Sequence, residues 1–148
     1  MSKIYKKKKV FVVGPIDPQF VADSISNHQS KTDIGAHAIF LGQIRADKID
    51  GKIVTGIEYS AYEAMAEDAF HTVRESAFDK YELNCLHIYH SLGLVPTGQI
   101  SLFVFVSSPH RKAAFEASEY IVNEIKRNVP IFGKEILGDG AYVWKENT

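Results

Sequence analysis

The chain has 148 residues, 45% hydrophobic and 24% charged, with a formal net charge of −1 at pH 7, which is the composition of one soluble globular domain long enough to bury a core. This balance gives no overall attraction to nucleic acid, so recognition of an anion has to come from a local cluster. The only cysteine, Cys85, is read as excluding an internal disulfide and, with it, a cysteine-based metal site or a two-thiol redox centre; no apolar run approaches the roughly 18–20 residues needed to span a bilayer, and a reducing cytoplasm is the expected location.

A basic run, Lys6 to Lys9, leads into Val10-Phe-Val-Val13, an apolar stretch too short for a signal-peptide core. It reads as a first strand, with residues 1–9 a flexible, solvated lead-in; a basic arm for nucleic acid is the alternative. Asp17-Pro18 supplies an N-cap and a proline at the first helical position, predicting a helix to about Asn27 followed by a loop from His28 to Asp33. Ala36 to Ile44 is a strand ending in Arg45. Residues 46–51 are polar and close on the turn signal Asp50-Gly51. From Lys52 the apolar residues alternate, with Ile53, Ile57 and Tyr59 on one face, so the two strands are expected to pair as a hairpin with a mobile tip.

Ser60-Ala-Tyr-Glu63 matches a capping box, opening a helix whose buried stripe would be Ala66, Ala69, Phe70, Val73 and Ala77 and which ends near Tyr81. Leu83 to Leu92 is a strand, Pro96-Thr-Gly98 a turn, and Ile100 to Val106 an apolar strand expected at the sheet centre. A second long helix starts at Ser108-Pro109 and ends before Pro130, burying Ala114, Ala117, Ile121 and Ile125. Tyr142-Val-Trp144 is a short edge strand. The order predicts an α+β fold, a mixed sheet with hairpins and three helices over one domain, residues 1–148, rather than a doubly wound parallel sheet.

Ser107-Ser108-Pro109-His110-Arg111-Lys112 is the most informative segment. A strand feeds a helix whose first amides lack intrahelical acceptors, and an anion docks readily there. Cations at that end oppose the helix dipole, so His110, Arg111 and Lys112 point to a phosphate-bearing ligand; a solvated basic turn is the alternative. Lys126 lies 15 residues beyond Arg111, about 22 Å along the axis. The two can serve one small pocket only if the ligand is extended or a second subunit contributes, as in a symmetric dimer. From spacing alone, Lys126 reads as a lysine set against the negative end of the dipole. His87 and His90 should face opposite sides of their strand. His28, His37 and His71 look isolated, so no metal site is expected, and Cys85 reads as core rather than nucleophile. P-loop and dinucleotide-type glycine motifs are absent.

Together these segments resemble the large, catalytic subunit of molybdopterin synthase. The matching blocks are Gly35-Ala-His-Ala-Ile-Phe-Leu-Gly-Gln-Ile-Arg45, Glu58-Tyr-Ser-Ala-Tyr-Glu-Ala-Met65, His90-Ser-Leu-Gly93, Ser108-Pro-His-Arg-Lys-Ala-Ala-Phe115, Lys126-Arg-Asn-Val-Pro-Ile-Phe-Gly-Lys-Glu135 and Trp144-Lys-Glu146, and their shared order makes the match specific. The resemblance implies an α/β-hammerhead type of fold and a homodimer within a heterotetramer. The partner is a small ubiquitin-like sulfur carrier with a C-terminal Gly-Gly thiocarboxylate. The implied reaction moves two sulfurs to cyclic pyranopterin monophosphate, giving the molybdopterin dithiolene, without metal or cofactor in the enzyme, without nucleic acid and without a membrane. Lys126 would be the catalytic lysine. His110 and Arg111 would hold the substrate phosphate, Arg45 would share the pocket, and Phe40 would line it. Two departures stand out. Gly133 occupies the position of a second family lysine, for which Lys134 is the candidate replacement, and Ser91 follows His90 where the family has arginine. These departures keep open a non-catalytic subunit that docks the ubiquitin-like partner or a phosphometabolite without turnover.

Overall fold

The computed structural model describes residues 9–145; the basic lead-in, apart from Lys9, lies outside them. Eight strands and three helices follow in the order β1 (Phe11–Val13), α1 (Pro18–His28), β2 (Ala36–Gln43), β3 (Lys48–Ile49), β4 (Lys52–Ala61), α2 (Glu63–Lys80), β5 (Cys85–Pro96), β6 (Ile100–Ser108), α3 (Arg111–Asn128), β7 (Ile131–Leu137) and β8 (Tyr142–Trp144). The fold is the expected α+β type. One sheet runs β2-β6-β5-β4-β7-β8, with β1 parallel against β5 and β3 against β4. β6 is buried along nearly its whole length, as its apolar run predicted.

The expected hairpin is replaced. β2 pairs antiparallel with β6 at the sheet edge, while β4 lies between β5 and β7. The turn at Asp50-Gly51, both with positive φ, joins β3 to β4 instead. The apolar flank of β6 offers β2 a better partner than the polar segment before β4. A register shift between Val54 and Gly56 also re-phases β4. Val54 therefore joins Ile57 and Tyr59 in burial, and Ile53 is exposed; a bulge turns a side chain to the other face in this way.

The capping box at Ser60 does not form. β4 continues through Ala61 because Ser60 and Ala61 pair with Phe132 and Ile131 of β7, and α2 is capped at Tyr62 with no side-chain bond. α1 does carry its expected cap, the Asp17 carboxylate accepting from the Gln19 amide at 2.9 Å.

The main core lies between one sheet face and the pair α2 and α3. Ala66, Phe70, Val73 and Ala77 meet Ala117, Ile121 and Ile125 over Leu86, Ile88, Val104 and Val106. Ile121 and Ile125 are nearly or fully inaccessible, and each such side chain contributes about 1.5–3 kcal/mol of burial. The opposite face carries a smaller cluster in which α1 rests through Val21 on Phe103 and Phe105.

Candidate functional site

α3 begins one turn's edge later than the sequence suggested. Its N-cap is His110, in extended backbone and without a side-chain cap bond. Ser108, the expected cap, ends β6; its hydroxyl donates to the Glu82 carbonyl at 2.9 Å and accepts from the His110 amide at 3.2 Å. Gly35 passes so close to this corner that a Cβ would stand 2.0 Å from the Pro109 carbonyl oxygen, so only glycine fits. His110, Arg111 and Lys112 are left exposed at the helix start.

At the other end of α3, Lys126 is half-buried, and burial, followed by the charge of Lys145, lowers its pKa from the ordinary lysine value. It lines a cleft of about 280 Å³ together with Phe40, Arg45, Ile57, Glu135 and Lys145. A smaller recess behind it joins Lys126 and Lys145 to Tyr59, His90 and Gly133. Arg45 is largely exposed and pairs with Asp47 at 3.3 Å, a surface ion pair of little strength that leaves the guanidinium free to take another anion. Arg127 points away from the cleft, exposed and paired with Glu124.

Of the residues selected from sequence, Lys126, Arg45 and Phe40 share one cleft. His110 and Arg111 lie a helix length away and line neither cavity. Lys134 is outside as well, with its ammonium over the rings of Tyr142 (4.7 Å) and Trp144 (5.3 Å). The pleat explains this. Gly133 pairs with Tyr59 and Lys134 with Glu58, so Gly133 shares the cleft face and Lys134 the other.

The second lysine of the cleft is Lys145, from the Trp144-Lys-Glu146 segment and not among the residues selected from sequence. Lys134 pairs with Trp144 across the β7–β8 ladder, and the Lys145 amide donates to the Gly133 carbonyl at 2.8 Å. Lys145 therefore emerges on the face of Gly133. A Cβ at 133 would lie 2.9 Å from Ile57 Cγ2 and 3.7 Å from Lys145 Cβ, so the glycine makes room for a neighbour's lysine. No local pattern announces this, because it depends on β8 folding back on β7.

His90 is 4% exposed. Its Nδ1–H donates to the Ser91 carbonyl at 2.8 Å, leaving Nε2 as the lone-pair nitrogen. Burial, opposed by that bond and reinforced by Lys126 and Lys145, lowers its pKa to about 4, so it is neutral near pH 7. Ser91 is fully buried and adds no charge to the cleft.

One expectation about the remaining residues fails. His28 and His37 are not isolated: their rings are 6.4 Å apart, and His28 meets His87. Cys85 is buried, as its reading as core expects, and the Lys31 ammonium donates to its sulfur at 3.0 Å. His87 and His90 do face opposite sides of the sheet, one toward α1 and the other toward the cleft.

Residues 14–128 match the family model described as MoaE protein. The chain is 40% identical over 116 residues to molybdopterin synthase catalytic subunit 1 of Aedes aegypti, covering 76% of this chain and 74% of that protein. Molybdopterin synthase from Staphylococcus aureus superposes with a TM-score of 0.80 at 30% identity, over 95% of this chain and 98% of that one. A protein–protein complex of subunits 1 and 2 of molybdopterin-converting factor from Helicobacter pylori gives 0.77 at 25% identity, over 93% and 89% of the two chains.

Proposed function

This chain belongs to the MoaE protein family, and on that premise we propose how its cleft carries out sulfur transfer. It is the catalytic subunit of a molybdopterin synthase, acting with a small subunit in molybdenum cofactor biosynthesis. The small subunit is ubiquitin-like, and its C-terminal Gly-Gly thiocarboxylate enters the cleft to deliver sulfur to cyclic pyranopterin monophosphate. Each transfer forms a carbon–sulfur bond on a pterin side-chain carbon as a carbon–oxygen bond there breaks, and then breaks the acyl carbon–sulfur bond of the carrier, whose carboxylate is restored by water.

The observation that carries this reading is the half-buried Lys126 in one cleft with Lys145, Arg45 and Phe40. Burial and a neighbouring cation both lower an ammonium pKa, so Lys126 gives up its proton more readily than an exposed lysine does. In its charged state it also stabilises the oxyanion formed at the acyl carbon. Lys145, rather than Lys134, is the second cation at the reacting centre. Arg45 holds substrate at the cleft mouth and Phe40 flanks the pterin.

His110 and Arg111 take the substrate phosphate from a second copy of the chain, whose α3 start meets this copy's α3 end in a homodimer. A groove of about 470 Å³ beside β2 and α3, bordered by Ile39, Phe40 and Phe115, with Ile39 and Phe115 exposed, supports a self-association surface there. The working assembly is then a heterotetramer of two large and two small subunits. No helix among the described residues is long and apolar enough to cross a membrane; the cytoplasm is the proposed location, in keeping with the free Cys85.

The test is to mix the purified chain with thiocarboxylated small subunit and cyclic pyranopterin monophosphate and assay the dithiolene. Product formation is expected. Complex formation without product would favour the non-catalytic docking role.

A further inference from the structure

On the sheet face away from the cleft, three metal-binding side chains converge. Cys85 and His87 are two apart on β5 and so project to the same side. α1 ends over them at His28, placing the three donor atoms within 4.8 Å of one another. The two imidazoles already meet, Nε2 to Nε2, at 3.0 Å. His28 donates its Nδ1–H to the Ser24 carbonyl at 2.7 Å. That bond fixes the tautomer and aims the Nε2 lone pair at the group, as the outer hydrogen bond of a metal-bound histidine does.

The surroundings suit a bound cation. The ring of Phe105, fully buried, lies beneath all three imidazoles of this region, 4.7 Å from His28, 5.0 Å from His37 and 6.2 Å from His87, giving a rigid apolar floor. Cys85 is buried, His28 is 9% exposed and His87 half-buried. The group is therefore shielded yet reachable from solvent. The Lys31 ammonium donates to the sulfur; its exposed chain can swing out when a metal takes its place.

We propose that His28, Cys85 and His87 form a zinc site, with His Nε2, His Nε2 and Cys Sγ as protein ligands and water in the fourth position. Zinc prefers mixed nitrogen and sulfur donors in a tetrahedron, with Zn–N about 2.0–2.1 Å and Zn–S about 2.3 Å. Donor atoms are then about 3.3–3.6 Å apart, so the group, now within 4.8 Å, has to close by about an ångström. On binding, the thiol proton leaves to solvent and the His87 Nε2 proton is exchanged through solvent for one on Nδ1, so both imidazoles bind as neutral rings and no redox change occurs. The ion would tie the end of α1 to β5, where α1 otherwise rests on the small cluster around Val21. The site is separate from the sulfur-transfer cleft and does not depend on its chemistry.

Cobalt(II) is the direct probe, added to metal-free full-length protein. Because Cys85 is the only cysteine, a thiolate-to-cobalt charge-transfer band in the near ultraviolet reports that residue without any variant. The expected result is such a band saturating at one equivalent, tetrahedral d–d absorption, and displacement by zinc. His28→Gln and His87→Gln should each weaken zinc binding on the order of 100-fold, measured by competition with a chromophoric chelator. Lys126→Ala should leave it unchanged. Absence of the charge-transfer band in the wild type, or zinc affinity unchanged from wild type in both histidine variants, overturns the proposal.

Discussion

Gly133 and Lys145 face each other across the β7–β8 ladder, joined by a 2.8 Å bond from the lysine amide to the glycine carbonyl. The side chain that one strand cannot hold is thus provided by the next. The cleft holds two lysines, Lys126 from α3 and Lys145 from the end of β8.

The first prediction tests this exchange. Lys145 lowers the pKa of Lys126, so removing its charge should raise that pKa. Lys145→Ala is expected to cut kcat on the order of tenfold and move the Lys126 limb of the pH–rate profile to higher pH. Lys134→Ala, which removes only a cation held over Tyr142 and Trp144, should leave the limb in place. The reverse pattern would return the role to Lys134.

Lys126→Ala should reduce turnover by about 100-fold or more while small-subunit binding and thermal stability stay close to wild type. Lys126→Arg preserves charge but cannot deprotonate. A proton-transfer role leaves this variant as inactive as the alanine one; substantial rescue would restrict Lys126 to electrostatic stabilisation.

The separation of Lys126 from Arg111 along α3 leads to a mixing experiment. Arg111→Ala should mainly raise KM. If the two ends of α3 meet between subunits, an equal mixture of Lys126→Ala and Arg111→Ala chains, allowed to re-associate, recovers about a quarter of wild-type activity at low substrate. Half the dimers are then mixed, and each has one intact site. No recovery would mean that the phosphate ligands are supplied within one chain.

His90 gives a pH dependence of stability. Its folded pKa is about 4 against an ordinary 6.5, so between those values the unfolded chain binds more protons and stability falls as pH falls. At about 1.4 kcal/mol per unit, the step from pH 6.5 to 5 should cost about 2 kcal/mol from this residue. Urea unfolding of the wild type and His90→Gln at pH 7 and pH 5 isolates it; an equal loss in both would assign the effect to other groups.

Gly35→Ala should destabilise the fold by about 2–3 kcal/mol, because its Cβ would meet the Pro109 carbonyl oxygen at 2.0 Å. A thermal scan with an unchanged midpoint would refute the close approach.

Local chemistry made much of this protein legible. The Asp17 cap, the stripes of α2 and α3 and the apolar β6 depend on neighbours in sequence, and all of them form. What failed depends on pairing at a distance. Ser60 satisfies every requirement of a capping box, yet β7 extends β4 past it. The Asp50-Gly51 turn was recognised, but the strand that pairs across it is β3, not β2. At the site, Lys126, Arg45 and Phe40 carried recognisable surroundings, whereas Lys145 gains its position only through the β8 return. The His28, Cys85 and His87 group was missed for a related reason: 57 residues separate His28 from Cys85, and only the packing of α1 closes that distance.

The alternation along β5 has an evolutionary consequence. His87 belongs to one face and His90 to the other, so an insertion or deletion of a single residue between them would exchange the chemistry of the two faces in one step. Length changes in this stretch should be purged from descendants of the lineage. The turn at Pro96 to Gly98, a few residues on, lies beyond both histidines and can lengthen without that penalty.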